Sequence, residues 1–173
     1  TEHMTPTMRM WTDAAWNGSL FVVVGCGTDD GVNNQTITSP DGITWTQRTL
    51  PSSQQWGTVC WNGTVFCVLT GQGTTGVGYT SPDGINWTAC TPVAGRSYSA
   101  IASNGTVWVA LYRDYGTSVA RSTTPTPTTW TDQTGLPASL LWTSIAWNGT
   151  VFCAVARGNT TIAATSPDGI TWT

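Results

Sequence analysis

A nine-residue phrase that recurs along the chain limits the folds available to it. The phrase reads TSPDGITWT or TSPDGINWT, and its three copies occupy Thr38–Thr46, Thr80–Thr88 and Thr165–Thr173. A diverged copy ends in Trp130, so the tryptophans of the phrase recur with a period of about 43 residues. A fixed period of this length is typical of repeat folds, in which one supersecondary unit is used several times.

A second phrase, built around Asn-Gly, occurs once in each period. It reads AWNGSLFVVV, CWNGTVFCVL, ASNGTVWVAL and AWNGTVFCAV, starting at Ala15, Cys60, Ala102 and Ala146. Asn-Gly between two apolar runs predicts a tight turn between antiparallel strands, because both residues tolerate positive φ. The second repeat is thus predicted to contain four strands, at Trp56–Trp61, Thr64–Thr70, Val77–Ser81 and Ile85–Thr88.

Four short antiparallel strands in a period of about 40–45 residues are typical of a β-propeller blade. We therefore predict an all-β fold, a β-propeller of four-stranded antiparallel blades with four repeats of about 43 residues. The chain, 1–173, is predicted to be a single propeller domain or propeller segment, with blades at approximately 9–46, 55–88, 97–131 and 141–173.

The Ser-Pro-Asp-Gly phrase is predicted to be a structural device. Proline presets φ, glycine accepts a strained position, and the aspartate can bind backbone N–H groups as in an Asx-turn. These aspartates are Asp41, Asp83 and Asp168. The tryptophans that follow are predicted to pack between neighbouring blades, and they are Trp45, Trp87, Trp130 and Trp172. The diverged copy has lost Asp and Gly but keeps Trp130, which favours a packing role.

Ser39, Asp41, Gly42, Thr44 and Trp45 resemble the Asp-box, Ser-x-Asp-x-Gly-x-Thr-Trp, of sialidases and photosystem assembly-factor-like propellers. The chain lacks one residue between Asp and Gly, and this shorter form resembles the SPDG repeats of bacterial surface proteins and bacteriophage tail proteins. The resemblance covers all the repeats. It implies the blade fold and says little about function, because Asp-boxes lie away from the active sites of those families.

The two ends of the chain bear on how the blades are completed. Residues 1–18 align with 131–149, so the chain is predicted to start just after one blade and to end just after another. Such an arc exposes the apolar faces of its first and last blades. We weigh a four-bladed ring against an eight-bladed ring of two chains and a segment of a longer chain, and we favour the last two together.

Composition and charge exclude several classes of partner. The net charge is −3, and all 6 basic residues are arginines that lie scattered along the sequence. Without a basic stripe to neutralise phosphates, nucleic acid is not an expected partner. No apolar run approaches the roughly 20 residues of a membrane helix. Low charge and abundant threonine fit a protein on the outside of a cell or on a virion surface.

The cysteines and acidic residues give little support to a metal or cofactor. Cys60, Cys67 and Cys153 align with alanine or valine in other repeats, which predicts free buried thiols. No His pair or Cys-x-x-Cys is present, and no cofactor is expected. Asp29 and Asp30, in a polar loop, are a weak calcium candidate whose alternative is a polar hairpin tip.

The residues that glycosidase catalysis requires are missing, so the chain is predicted not to be an enzyme. Its one glutamate is Glu2 and its one histidine is His3, both in the terminal segment. A sialidase needs an arginine cluster, a tyrosine activated by a glutamate, and an acid. The run Arg113-Asp114-Tyr115 is interpreted as a solvated hairpin loop rather than a catalytic cluster.

Aromatic residues at the start of each first strand are the candidate binding residues. They are Trp11, Trp56, Tyr98 and Trp142, one in each repeat. At the mouth of a ring they could form an aromatic platform on which sugars stack, or they could cap the core against the linkers. A further set on the second strands is predicted to be core, and it comprises Phe21, Phe66, Trp108 and Phe152.

These observations favour a non-catalytic binding or adhesion module, with a glycan or cell-surface receptor as its partner, on a phage or bacterial surface protein. A purely structural repeat of a larger particle or appendage is the first alternative. A degenerate sialidase-like glycosidase is the second, and the missing carboxylates count against it.

Overall fold

The structure is a computed structural model that describes residues 1–27, 31–73, 76–158 and 160–173. Within these ranges it consists of fifteen β-strands joined by turns and loops, with no helix, so the all-β prediction is confirmed. The strands pair antiparallel with their neighbours. No part of the chain described here is a helix long and apolar enough to cross a membrane.

Repeats 1 and 2 share one sheet because a single long strand belongs to both. The sheet has 7 strands in sequence order. They are β1 (Met10–Trp16), β2 (Phe21–Cys26), β3 (Asn33–Ser39), β4 (Thr46–Trp61), β5 (Phe66–Gln72), β6 (Gly78–Ser81) and β7 (Thr88–Cys90). Up to Gln54 strand β4 pairs with β3, and from Gln55 it pairs with β5. Its halves are therefore the last strand of repeat 1 and the first strand of repeat 2.

Repeats 3 and 4 form two further sheets. Repeat 3 contains β8 (Tyr98–Ser103), β9 (Trp108–Tyr112), β11 (Ser118–Ser122) and β12 (Thr131–Thr134), in the order β12-β11-β9-β8. Repeat 4 contains β13 (Leu140–Trp147), β14 (Phe152–Arg157) and β15 (Ala163–Ser166), and short β10 (Tyr115–Gly116) pairs with β13. Thr173 exchanges two backbone hydrogen bonds with Thr165, of 2.8 and 3.0 Å, and so takes the place of a fourth strand.

The Asn-Gly phrases form the tight turns that the sequence predicts. The glycines Gly18, Gly63, Gly105 and Gly149 have φ values of 98, 100, 99 and 99°. Each asparagine side chain accepts the backbone N–H groups two and three residues later, as Asn62 does from Thr64 and Val65. Polar atoms of the turn are therefore satisfied locally, and the two strands on either side can bury their apolar residues.

The Ser-Pro-Asp-Gly turns also have the predicted Asx geometry. In the first turn Asp41 accepts the N–H groups of Ile43 and Thr44 at 2.8 and 2.7 Å, and the Ser39 hydroxyl donates to Asp41. These hydrogen bonds to the carboxylate lower the pKa of Asp41 to about 2. The pKa values of Asp83 and Asp168 are lowered by equivalent bonds.

The predicted fourth strand at Ile85–Thr88 is wrong. The N–H groups of Ile85 and Asn86 bind the Asp83 carboxylate, at 2.8 Å each, and so are not free to join a sheet. The strand starts instead at Thr88, the last residue of the phrase. Residues 82–87 of the phrase are thus the connection between the third and fourth strands, while Thr80 and Ser81 end β6 and Thr88 starts β7.

Three apolar clusters lie between successive repeats and form the core. We call the side of a sheet that faces the following repeat its forward face, the opposite side its backward face, and the contact between successive repeats a seam. The seam of repeats 1 and 2 joins forward residues Val22 and Val24 to backward residues Phe66 and Val68. The next two seams use the equivalent positions, Cys67 and Leu69 with Trp108 and Ala110, then Val109 and Leu111 with Phe152 and Ala154.

The sequence predicts that all four phrase tryptophans pack between repeats, and three of the four lie in these seams. Each packs in the cluster between its own repeat and the preceding one, as shown by Trp87, Trp130 and Trp172. Trp45 belongs to the first repeat, is half-buried, and lies 6.3 Å from the Phe21 ring. The difference arises because the first repeat has no preceding repeat in this structure.

The forward face of repeat 4 and the backward face of repeat 1 are open. Val155 is 44% exposed, although its equivalents Val24, Leu69 and Leu111 are 0% exposed. On the other open face Phe21 and Val23 are half-buried, whereas the same positions in repeats 2 to 4 are buried. Among the described residues, no hydrogen bond or apolar cluster joins repeat 4 to repeat 1.

Candidate functional site

The first strands of all the repeats surround a central cavity of about 360 Å³. Three successive positions on each strand line it, and the first of these positions holds Thr12, Gly57, Ser99 and Thr143. The hydroxyls of Thr12, Ser99 and Thr143 give the cavity a polar lining. The aromatic residues that precede these positions, such as Trp56, point into the seams, because successive side chains of a strand point to opposite sides.

Two of these hydroxyls link one repeat to the next. Thr12 Oγ1 donates to the Trp56 carbonyl oxygen at 2.9 Å, and Ser99 Oγ donates to the Trp142 carbonyl oxygen at 2.8 Å. At Gly57 no side chain fits, because an added Cβ would lie 2.3 Å from the Gly71 Cα of the same repeat and 2.8 Å from the Tyr98 carbonyl oxygen of the next repeat. The lining is therefore fixed by contacts between repeats.

Asp13 is the one acidic residue among those that line the central cavity. Its Oδ2 accepts a hydrogen bond of 2.7 Å from the Thr58 hydroxyl and one of 2.9 Å from the Val59 N–H. These bonds join repeat 1 to repeat 2. The carboxylate thus has a structural role, and no second carboxylate lines the cavity to act with it as glycosidase chemistry requires.

A cleft of about 280 Å³ opens at one end of the cavity, and two arginines line it. Arg157 is the last residue of β14, and Arg113 follows β9 at the equivalent position. The Arg113 guanidinium donates a long hydrogen bond of 3.4 Å to the Gly71 carbonyl oxygen. Both arginines are exposed, and neither has a carboxylate partner within the described ranges.

Nearby acidic groups are bound by a different arginine. Arg96 lies 3.0 Å from Asp114 and 3.8 Å from Asp132, and its guanidinium stacks 4.4 Å from the centre of the Tyr112 ring. Asp132 also accepts a hydrogen bond from the Tyr112 hydroxyl. This bond and burial raise the pKa of Tyr112, which keeps its phenol protonated.

The run Arg113-Asp114-Tyr115 does not form one cluster. Asp114 binds Arg96, while Arg113 lies at the cleft. Tyr115 is 73% exposed and starts the short strand β10 that pairs with β13. The loop is thus a connection between two repeats as well as a turn within one.

The predicted aromatic platform does not form, because three of its four residues are in the core. Trp56, Tyr98 and Trp142 are at most 1% exposed. Each also donates a hydrogen bond to a backbone carbonyl, as Trp56 does to Asn33 at 3.0 Å. Only Trp11 is half-buried, and it lies on the open backward face. The geometry matches the alternative, in which these rings cap the core against the linkers.

The cysteines form no disulfide with one another, but they differ in burial. Cys67 is fully buried in a seam, and burial raises the pKa of its thiol. Burial also raises the pKa of Cys60 to about 12. Cys60 and Cys153 are only half-buried, contrary to the sequence prediction, and Cys153 is so because it lies on the open forward face of repeat 4. The five cysteines of the chain are Cys26, Cys60, Cys67, Cys90 and Cys153.

The calcium candidates Asp29 and Asp30 lie outside the residues that the structure describes. Elsewhere in the described chain, no three His, Cys, Asp or Glu side chains come together as a metal site would require.

Sequence reasoning assigned Arg113 to a solvated hairpin loop and did not consider Arg157 as a site residue. Arg113 and Arg157 occupy the same repeat position, which holds Cys26 and Gly71 in repeats 1 and 2. The repeated aromatics drew attention because they are present in every repeat. A charged residue placed at one position of only two repeats was the signal that could have found the cleft.

No protein-family model and no curated protein sequence matches this chain. Several solved structures resemble it. A chain of a nidogen/laminin complex matches with a TM-score of 0.65 at 10% identity, over 89% of this chain and 58% of that chain. YCF48 from Cyanidioschyzon merolae matches with a TM-score of 0.60 at 15% identity, over 94% of this chain and 55% of that one.

A third structure, a GH74 enzyme from Niastella koreensis, matches with a TM-score of 0.64 at 19% identity, over 99% of this chain and 25% of the enzyme. All three are β-propeller proteins. The fold is a β-propeller. This chain spans a little over half the length of the first two propellers and a quarter of the third. One neighbour comes from a protein complex and another is an enzyme, so the likeness shows the fold and not an activity.

Proposed function

We propose that this chain is a non-catalytic binding module built of four propeller blades, and that it recognises a glycan at the cleft beside Arg113 and Arg157. It acts on the outside of a bacterial cell or on a phage surface protein. The observation that carries the proposal is the cleft itself, which is lined by two guanidinium groups that have no carboxylate partner among the described residues and by hydroxyls of three repeats.

The chemistry of the cleft suits a polar and anionic sugar. Guanidinium groups bind carboxylate and sulfate groups in two-point geometry, and the hydroxyls of Thr12, Ser99 and Thr143 match sugar hydroxyls. A volume of about 280 Å³ accommodates one or two sugar units. The whole chain has a net charge of −3, so the two arginines are a local positive feature.

The cleft supports binding better than hydrolysis. Both retaining and inverting glycosidases use a pair of carboxylates at the scissile bond. Within the described residues that line the cavity and the cleft, Asp13 is the one carboxylate, and it is bound to Thr58 and Val59. A degenerate sialidase-like enzyme therefore has less support than a binding module.

A structural role in a larger particle or appendage is the second candidate, and the open faces favour it. Val155 on repeat 4 and Phe21 on repeat 1 leave apolar surface that the internal repeats bury. Such surface marks an interaction site. If the role is structural, the cleft binds no ligand, and the blades serve only to build the assembly.

An array of acidic and neutral oligosaccharides tests the proposed function. We expect binding to acidic sugars that is lost in Arg113→Ala and Arg157→Ala, with the sugar recovered intact. Arg48→Ala is the matched control, because Arg48 bonds to Thr38 in repeat 1 and does not line the cleft. Binding that survives in both cleft variants, or no binding to any sugar, would contradict the proposal and leave the structural role.

A further inference from the structure

The two open faces of the chain are complementary to each other. The forward face of repeat 4 carries Cys153 and Val155, at the positions that Val22 and Val24 occupy in repeat 1. The backward face of repeat 1 carries Phe21 and Val23, at the positions of Phe66 and Val68 in repeat 2. In the three internal seams, forward residues of this kind pack on backward residues of this kind.

We infer that copies of this chain associate head to tail, with the forward face of repeat 4 of one copy packed on the backward face of repeat 1 of another. The occupant is a second copy because its face continues a contact that the chain makes three times within itself. Two copies that cover each other's open faces leave none exposed.

The close approach of turn glycines to the preceding repeat supports the same head-to-tail pairing. An added Cβ on Gly84 would lie 2.7 Å from Val22 Cγ2, and one on Gly169 would lie 2.5 Å from Val109 Cγ2. In these two seams the forward face of the preceding repeat thus fits against a bare glycine. Gly42 has the same turn geometry in repeat 1, but its nearest neighbour is Phe21 at 3.7 Å. The space beside Gly42 is open to the forward face of another copy.

The hydroxyl of Thr143 supplies the polar part of this seam. Its equivalents Thr12 and Ser99 donate to the carbonyl oxygen of an aromatic residue in the following repeat. Thr143 has no such acceptor in the described part of its own chain. In a head-to-tail pair the acceptor is the Trp11 carbonyl oxygen of the other copy, and the half-buried Trp11 ring is covered as its equivalents are.

Sedimentation with mutual complementation tests the inference. For the unmodified chain we expect a mass of twice 18.4 kDa, or a larger multiple, which falls on dilution. Val155→Glu and Val23→Arg should each be monomeric when alone, because each puts a charge into the seam. Mixed in equal amounts, they should form a one-to-one pair, since Val23→Arg retains an intact forward face and Val155→Glu an intact backward face.

Two further variants keep the result interpretable. Ile85→Glu, on an exposed turn, should leave the mass unchanged. Thr143→Val should weaken the closed pair by about thirty-fold, because the pair contains two such hydrogen bonds worth about five-fold each, while the melting temperature of the dilute monomer stays the same. If Val23→Arg does not fold, the association of Thr143→Val tests the head-to-tail contact by itself, and an association as strong as that of the unmodified chain overturns the inference. A monomer at every concentration overturns the inference and leaves the faces to a different chain. An association that survives Val155→Glu, or a mixture that remains monomeric, also overturns it.

Discussion

Adding a methyl group to Gly84 tests whether the turn of one repeat is shaped by the face of the repeat before it. Gly84 has φ of 71°, a conformation that costs an alanine about 1–2 kcal/mol. The new Cβ would also lie 2.7 Å from Val22 Cγ2, which is fully buried and cannot move away freely. Overpacking of a core adds about 1–3 kcal/mol. Gly84→Ala should therefore destabilise the chain by about 2–5 kcal/mol.

Gly42→Ala is the matched control. Gly42 lies in the same turn of repeat 1 with φ of 72°, but its nearest neighbour would be 3.7 Å away. It carries only the conformational cost of about 1–2 kcal/mol. Urea unfolding followed by tryptophan fluorescence measures both variants, at protein concentrations low enough to keep the chains apart. Equal destabilisation of the two variants would refute the role of the seam.

A double-mutant cycle identifies the atom responsible. Val22→Ala removes the Cγ2 that the new Cβ meets, so Gly84→Ala should cost about 1–2 kcal/mol less in that background. Gly169→Ala, which meets Val109 in a different seam, should add to Val22→Ala within about 0.5 kcal/mol. If Gly84→Ala lowers the unfolding free energy equally in the unmodified and the Val22→Ala backgrounds, the contact with Val22 is not the cause of the destabilisation.

Three other predictions concern acid stability, thiol reactivity and the polar lining. The folded pKa of Asp41, about 2, is below the ordinary aspartate value of 3.8, so its stabilising contribution is present at neutral pH and is lost as the pH falls from 4 to 2. Asp41→Asn should flatten that part of the curve of urea midpoint against pH, and an unchanged slope would contradict this. Cys67 should react with a thiol reagent far more slowly than half-buried Cys153 in the native state, with equal rates in urea. Ser99→Ala should lower the unfolding free energy by about 1 kcal/mol, because the Trp142 carbonyl oxygen loses its donor; an unchanged midpoint would argue against that bond.

The repeat pattern allowed the sheet architecture and the turns to be predicted. Asn-Gly turns such as Asn62-Gly63 and the Asx bonds of Asp83 depend on neighbouring residues only, so local chemistry identifies them. The tryptophans of the phrase were placed in the seams because a large side chain repeated in each unit needs a partner in the next unit. Trp172 illustrates this in the cluster between repeats 3 and 4.

The site was harder to predict because it depends on which repeats are neighbours. Trp56 is a plausible surface aromatic until the preceding repeat, with Asn33 as its hydrogen-bond acceptor, is placed over it. The fourth strand was misplaced because Asp83 takes the N–H groups that a strand would use. Arg113 and Arg157 come together only when the first strands surround one cavity.

Arginine side-chain spectra offer the most direct test of the proposed binding site. The chain has six arginines and no lysine, so its Nε–Hε signals can be assigned one by one. Titrated with the acidic oligosaccharide that binds best on the array, ¹⁵N-arginine-labelled protein should show saturable shifts of Arg113 and Arg157. The remaining signals should stay in place, and they belong to Arg9, Arg48, Arg96 and Arg121. Shifts confined to those four, with Arg113 and Arg157 unchanged, would place the ligand elsewhere and contradict the account.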